Sequence, residues 1–173
     1  HNGIYSASWK LGRRADADVW VANFNAPGQV VIAGSTEGVA AASTHAKELG
    51  AKKVMPLPVS GAFHTPFMTP ARDRLRKAIA EANPRDCEVP VVSNVDALAH
   101  SEGSEWSSLL SAQLGSPVRW KHCLLTLAEL GVTDLAELGP GGVLTGMAKR
   151  TLDGARTISV ATPEDLDKLI EWV

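Results

Sequence analysis

The chain has 173 residues, with 17 Lys and Arg against 19 Asp and Glu, giving a formal net charge of −2. Hydrophobic residues make up 45% of it and charged residues 21%, with a mean hydropathy of −0.02, which excludes a disordered, collagenous or low-complexity chain. The balance of charge also lacks the Lys/Arg excess that phosphate neutralisation needs, so no nucleic acid is expected as a partner.

Residues 1–15 show no clear hydrophobic period and are expected to be a leader or the stub of a longer chain. From Val19 a strand is expected through Phe24. Asn25-Ala26-Pro27-Gly28 then turns the chain into the β-branched run Gln29–Ala33, a hairpin signal. Val39, Ala42, Ala46 and Leu49 form a helical stripe over 36–49, which Gly50 ends. The longest uncharged window, Val54–Ala71, is interrupted by prolines 56, 58, 66 and 70, so it cannot be a membrane helix, and Val54–Val59 within it is expected to be extended.

A helix over 69–82 is expected, with Thr69 as N-cap, Pro70 at its first position, and Leu75, Ile79 and Ala82 on one face. Pro90–Val95 reads as a buried strand and 105–114 as a helix. Pro117 should open a helix that runs to Leu130. Then follow a strand at 133–138, the turn Gly139-Pro-Gly-Gly142, a helix at 143–152, a strand at 157–160 and a helix from Pro163. Strands alternating with helices from residue 90 onward argue an α/β layer with parallel strands.

The residues that could carry chemistry are few. His64 lies in Val59-Ser-Gly-Ala-Phe-His-Thr-Pro, at an extended-to-helix junction among small uncharged neighbours, where an imidazole is free to act as a general base. The plainer alternative is a turn histidine bonded to a local carbonyl. His45, His100 and His122 sit in charged or polar surroundings. Cys87 and Cys123 make no disulfide framework, and a reducing cytosol is the expected setting. His122 and Cys123 are adjacent on a helix, about 100° apart in direction, so they form no ready thiolate pair and Cys123 is expected in the core. No His, Cys, Asp or Glu recurs at metal-ligand spacing, so no metal is expected. The turn at 139–142 precedes a helix whose free N–H groups suit an anion, but neither a G-x-G-x-x-G nor a Walker lysine accompanies it. No G-x-S-x-G elbow occurs, so His64 has no obvious nucleophile to serve.

Four motifs in order, Asn23-Phe-Asn-Ala-Pro-Gly-Gln-Val-Val-Ile-Ala-Gly34, Pro56-Leu-Pro-Val-Ser-Gly-Ala-Phe-His64-Thr65, Gln113-Leu-Gly-Ser-Pro-Val-Arg-Trp120 and Glu137-Leu-Gly-Pro-Gly-Gly-Val-Leu-Thr-Gly-Met-Ala-Lys-Arg150, resemble the malonyl-CoA:acyl carrier protein transacylase family over residues 19–173. The resemblance implies an α/β fold: part of an α/β-hydrolase-like acyltransferase core plus part of a ferredoxin-like small subdomain. Residues 1–18 would be a leader outside the family pattern, 19–60 part of the small subdomain, and 61–173 the C-terminal part of the core.

The implied chemistry is ping-pong malonyl transfer, in fatty acid biosynthesis in the cytoplasm. A serine takes malonyl from coenzyme A and passes it to the phosphopantetheine thiol of acyl carrier protein; no cofactor is bound. On the same resemblance His64 is the base and Gln113 supplies the main-chain carbonyl that holds it, in place of an acidic third triad member. Asn23 lines the pocket and Phe63 narrows it against branched acyl groups. The family's serine elbow, its oxyanion donors and its malonyl-binding arginine lie upstream of every residue matched here, so no nucleophile is expected in this chain, which should be inactive alone. Exposed edges left by the missing strands would favour a dimer or domain swap. Two other readings stand beside this one: a non-catalytic module of the same fold that binds acyl carrier protein or an acyl-CoA, and an unrelated α/β protein holding phosphate at 139–142. A solvated basic face, or a carrier-protein contact, is expected of Arg72, Arg74, Arg76 and Lys77.

Overall fold

The structure, a computed structural model, describes residues 18–172; the leader expected at 1–18 lies almost wholly outside them. The first two strands, β1 (Val19–Ala26) and β2 (Gln29–Gly34), pair antiparallel across the two-residue turn Pro27-Gly28. Gly28 takes φ +72, the left-handed region that a tight hairpin turn requires. The register shifts between Val21 and Asn23 and again between Phe24 and Ala26, so β1 is bulged twice. Gly34 is needed for a different reason: a Cβ there would stand 2.0 Å from the Asp18 carbonyl oxygen. Helix α1 (Thr36–Glu48) follows, capped by Ser35, whose Oγ accepts from the Gly38 N–H at 3.0 Å.

The proline-rich window forms no strand. Residues 51–59 pair with no strand, Val59 N turning back to Leu57 O at 2.9 Å, and Met55, Leu57 and Val59 are all more than half exposed. Pro66–Ala71 is a 3-10 turn leading into α2 (Arg72–Ala82), so Thr69 and Pro70 sit inside that turn and are not the helix start. Ile79 is buried and Leu75 half-buried, whereas Ala82 is exposed beside the left-handed cap Asn83.

Between residues 90 and 100 the expected buried strand is reduced to Val91–Val92 (β3), paired antiparallel with Ala99–His100 (β4). Local polar bonding explains this. Asp96 Oδ1 accepts from Leu98 N at 3.1 Å, Ser93 N donates to Leu98 O, and Ala97 adopts φ +64. The chain therefore reverses at once, and parallel pairing is not general after residue 90 as the alternation implied. His100 anchors the hairpin to α3 (Trp106–Gln113): its Nε2 lies 3.0 Å from Asp96 Oδ2 and its Nδ1 3.0 Å from Glu105 Oε1, with its ring edge-on to Trp106. Burial works to lower the His100 pKa, but hydrogen bonds and charge from Glu105 and Asp96 outweigh it and the pKa is raised.

Pro117 does not open the next helix. Val118 lies in an extended stretch that bridges β1 on the side away from β2, with Val118 N donating to Ala22 O and Phe24 N to Val118 O, both at 2.8 Å. Helix α4 (Trp120–Glu129) begins only after it. The last part is a βαβ unit: β5 (Asp134–Leu138) and β6 (Arg156–Val160) pair in parallel and are joined by α5 (Val143–Thr151), with α6 (Asp165–Trp172) beyond. Leu124, Ala148 and Leu152 form the buried centre, with Trp120, Leu135 and Ala155 packed on it. Cys123 is buried as expected, and burial pushes its thiol up to about 11, so it is no nucleophile.

The N–H groups at the start of α5 already have an anion. Glu137, at the end of β5, accepts from Leu144 N at 3.1 Å and Thr145 N at 2.8 Å. An external phosphate at 139–142 would have to displace that carboxylate, which removes the observation behind the phosphate-binding reading. The Thr145 N–H and its neighbours hold the Glu137 carboxyl below its ordinary 4.5. A depressed carboxyl stabilises the fold above its ordinary pKa and loses that contribution as pH falls through its lowered value. Glu137→Gln should therefore lower Tm at neutral pH, and thermal melts should show the gap to wild type closing in acid.

Candidate active site

His64 is placed by a tight reversal. The backbone at His64 has φ +61, an unusual conformation for a residue with a Cβ, costing of order 1–3 kcal/mol, and such strain clusters at functional sites. Before it, Gly61 leaves room for the Phe63 ring: a Cβ at Gly61 would lie 3.3 Å from the ring's far end. Phe63 is 47% exposed and forms an open wall beside the histidine. After it, Thr65 is extended, as a residue before proline must be, and Pro66 starts the 3-10 turn. Phe67 in that turn packs edge-on against Trp20 of β1, with ring centroids 5.3 Å apart, tying the histidine's segment to the hairpin.

Across from this loop, α3 ends at Gln113. The last carbonyls of a helix have no partner within it and carry the negative end of its dipole. The Gln113 carbonyl oxygen lies 3.1 Å from His64 Nδ1. A carbonyl only accepts, so Nδ1 is the donor here, and in the neutral imidazole the lone pair then lies on Nε2. The Gln113 side-chain Nε2 lies 3.4 Å from the same ring nitrogen, the longer of the two contacts, and gives one of its two N–H groups to Ser116 O at 2.8 Å. The shorter carbonyl contact therefore governs the ring. It also supplies what a triad acid supplies, orientation and a negative end for an imidazolium, without a full charge. The plain turn-histidine alternative is answered by distance along the chain: the carbonyl is 49 residues away and not local.

The structure thus brings His64 and Gln113 together, with the exposed Phe63 preceding His64 in the chain. Asn23 is half-buried in β1, bridged by backbone to Val118, five residues beyond Gln113; among the described residues no side-chain hydrogen bond joins it to either. His45 is half-buried and paired with Glu48. His122 stands edge-on to Phe24, and burial followed by the charges of Lys121 and Arg119 lowers its pKa. Sequence reasoning missed two contributors, the Ser116 carbonyl that holds the Gln113 amide and the buried hydroxyl of Thr65. Neither belongs to a residue class that signals chemistry. Among the described residues no group of three or more His, Cys, Asp and Glu could hold a metal, and no helix is long and apolar enough to cross a membrane.

Comparison with known proteins shows the family. The acyl transferase domain family matches residues 3–163, a span that begins inside the opening segment left outside the resemblance. The malonyl CoA-acyl carrier protein transacylase of Bacillus subtilis is 42% identical over 153 residues, covering 88% of this chain and 48% of that protein. Its counterpart in Escherichia coli K12 is 41% identical, covering 86% of this chain and 48% of its own length. An acyl-carrier-protein S-malonyltransferase from Burkholderia pseudomallei superposes with a TM-score of 0.90 at 37% identity, over 99% of this chain and 55% of that one. A malonyl-transacylase solved in complex with a type II polyketide acyl-carrier protein gives 0.91 at 35% identity, over 100% and 55%. The chain spans about half the length of the curated relatives it matches. It belongs to the acyl transferase domain family, with its similarity running to malonyl CoA-acyl carrier protein transacylases along most of its length.

Proposed function

We propose that these residues are the histidine-bearing portion of a malonyl-CoA:acyl carrier protein transacylase of cytoplasmic fatty acid biosynthesis. The observation that carries the reading is the His64 Nδ1–Gln113 carbonyl contact at 3.1 Å, which leaves Nε2 free as a base. In the first half-reaction Nε2 takes the proton of a serine hydroxyl as its oxygen attacks the malonyl thioester. The C–S bond breaks and the coenzyme A sulfur leaves with that proton. In the second, Nε2 takes the proton of the phosphopantetheine thiol, the sulfur attacks the malonyl-serine ester, and the serine oxygen recovers the proton. Asn23 lines the pocket, and Phe63 restricts the acyl group. No metal or cofactor takes part in either step.

Residues 19–60 hold the β1–β2 hairpin and α1, and belong to a ferredoxin-like small subdomain; 61–173 hold the βαβ unit and belong to the α/β-hydrolase-like core. The acyl-carrier-protein complex among the similar structures supports acyl carrier protein as the partner.

The nucleophile comes from elsewhere, because residues 1–173 contain no G-x-S-x-G elbow. The 173-residue polypeptide should therefore form no covalent adduct with malonyl-CoA. Intact-mass spectrometry reads this directly, and a stoichiometric malonyl ester would contradict it. The same missing elbow favours one second reading, a binding module without turnover. Saturable affinity of this polypeptide for acyl carrier protein would support the module, and its absence the catalytic portion.

Two further outcomes are expected. In a polypeptide joining these residues to a serine-bearing segment of a relative, His64→Ala should lower kcat/KM by about 10²–10⁴, the usual contribution of a positioned base. Gln113→Ala keeps the carbonyl and should cost far less, as steady-state kinetics would show. The parallel pair β5–β6 has no further strand among the described residues, and Leu138 is 73% exposed. Parallel sheets are ordinarily covered on both faces, and open edges recruit strands. The isolated polypeptide should therefore self-associate by edge pairing or domain swapping, and analytical ultracentrifugation should show a mass that rises with concentration.

A further inference from the structure

Thr65 is the one residue of the His64 loop with no exposure, and its hydroxyl does an unexpected job. A threonine directly before Pro66, at the start of a helical turn, stands where a side-chain cap is expected. Here there is no side-chain cap bond. The hydroxyl instead turns back and donates to the Ala62 carbonyl at 2.6 Å, closing the loop Ala62–Thr65 around His64. Inside that closed loop His64 sits at φ +61. The Thr65 carbonyl accepts from Met68 N at 3.0 Å, so one residue holds both the reversal and the turn after it. Its backbone also packs on the chain just past Gln113: a Cβ on Gly115 would meet the Thr65 carbonyl oxygen at 3.7 Å.

We propose that Thr65 is a positioning residue for the acyl transfer, its buried hydroxyl holding His64 in the left-handed conformation that delivers Nδ1 to the Gln113 carbonyl. The strained backbone at His64 needs a compensating contact, and the nearest non-backbone bond that closes the reversal is this one. Pro66 contributes by restricting Thr65 to the extended region, where φ is −127 and ψ 166. Thr65 does not touch the reacting atoms. It acts through the tautomer of His64, so a base with its lone pair on Nε2 depends on a hydroxyl one residue away. This inference rests on the reading of His64 as the base only for its catalytic meaning; the positioning itself is testable without activity.

The test is the imidazole nitrogen spectrum of the 15N-labelled polypeptide, with the His64 signals assigned by H64Q. Wild type and T65S, which keeps the hydroxyl, should both show His64 protonated on Nδ1. T65V, which keeps the branched shape and removes the hydroxyl, should shift His64 toward the Nε2-protonated form favoured by free imidazole. A merely structural role for Thr65 would lower the Tm of T65V and leave the tautomer in place, and that result overturns the proposal. So does a T65S spectrum that shifts as T65V does. Should T65V fail to fold, the wild-type hydroxyl decides: its proton should exchange with solvent at least about tenfold more slowly than that of a free threonine, as a fully closed bond requires. Rapid exchange overturns the proposal. If H64Q leaves a serine-containing enzyme active, the base reading fails, while the tautomer result still judges Thr65 by itself.

Discussion

The contact between His64 Nδ1 and the Gln113 carbonyl is the constraint on which the site depends. A single hydrogen bond of this kind contributes only about 0.5–1.5 kcal/mol net, so its weight lies in direction and not in stability. It decides which ring nitrogen holds the proton and which faces outward. Everything nearby serves that geometry. Helix α3 ends at Gln113, whose carbonyl takes a long 3.4 Å bond from Ser116 N beside the shorter His64 contact, one N–H of the Gln113 amide goes to Ser116 O, and Val118 then locks the same segment onto β1. On the other side, the Trp20–Phe67 contact and the buried Thr65 hydroxyl fix the histidine's loop.

The distribution of burial fits a site that is one side of a larger surface. The dense packing lies behind it, among Leu124, Ala148 and Leu152, whereas Val59, Phe63 and Phe67 around the histidine are exposed. An apolar wall that is extended by prolines yet open to water is costly unless something covers it. On the proposed reading, the covering polypeptide is the one that carries the serine. The same logic explains the Gly139–Gly142 turn. Its helix N-terminus is satisfied internally by Glu137, so it serves packing of the βαβ unit.

Much of the architecture was legible because it rests on local signals. The helices at 36–48, 106–113 and 143–151 follow from periodic apolar positions, and the hairpin at 19–34 from Pro27-Gly28. The errors arose where short-range polar bonding or tertiary pairing overrode propensity. Pro90–Val95 looked like a buried strand, but the Asp96 side chain turns the chain back after two paired residues. Pro117 looked like a helix start, yet Val118 is claimed by β1 from nearly a hundred residues earlier, which no local pattern reveals. His64 is a candidate from its extended-to-helix junction among small uncharged neighbours, whereas Gln113 enters only through the motif resemblance, because its contribution is a main-chain carbonyl. Thr65 was passed over for the same reason: a buried hydroxyl bonded to a neighbouring carbonyl leaves no mark in composition or period.

If the Gln113 carbonyl fixes the proton on His64 Nδ1, a scalar coupling across the hydrogen bond should be detectable between His64 Nδ1 and the Gln113 carbonyl carbon in the unaltered polypeptide, together with an unprotonated Nε2. A proton on Nε2 with no coupling to Gln113 would show that another contact orients the ring.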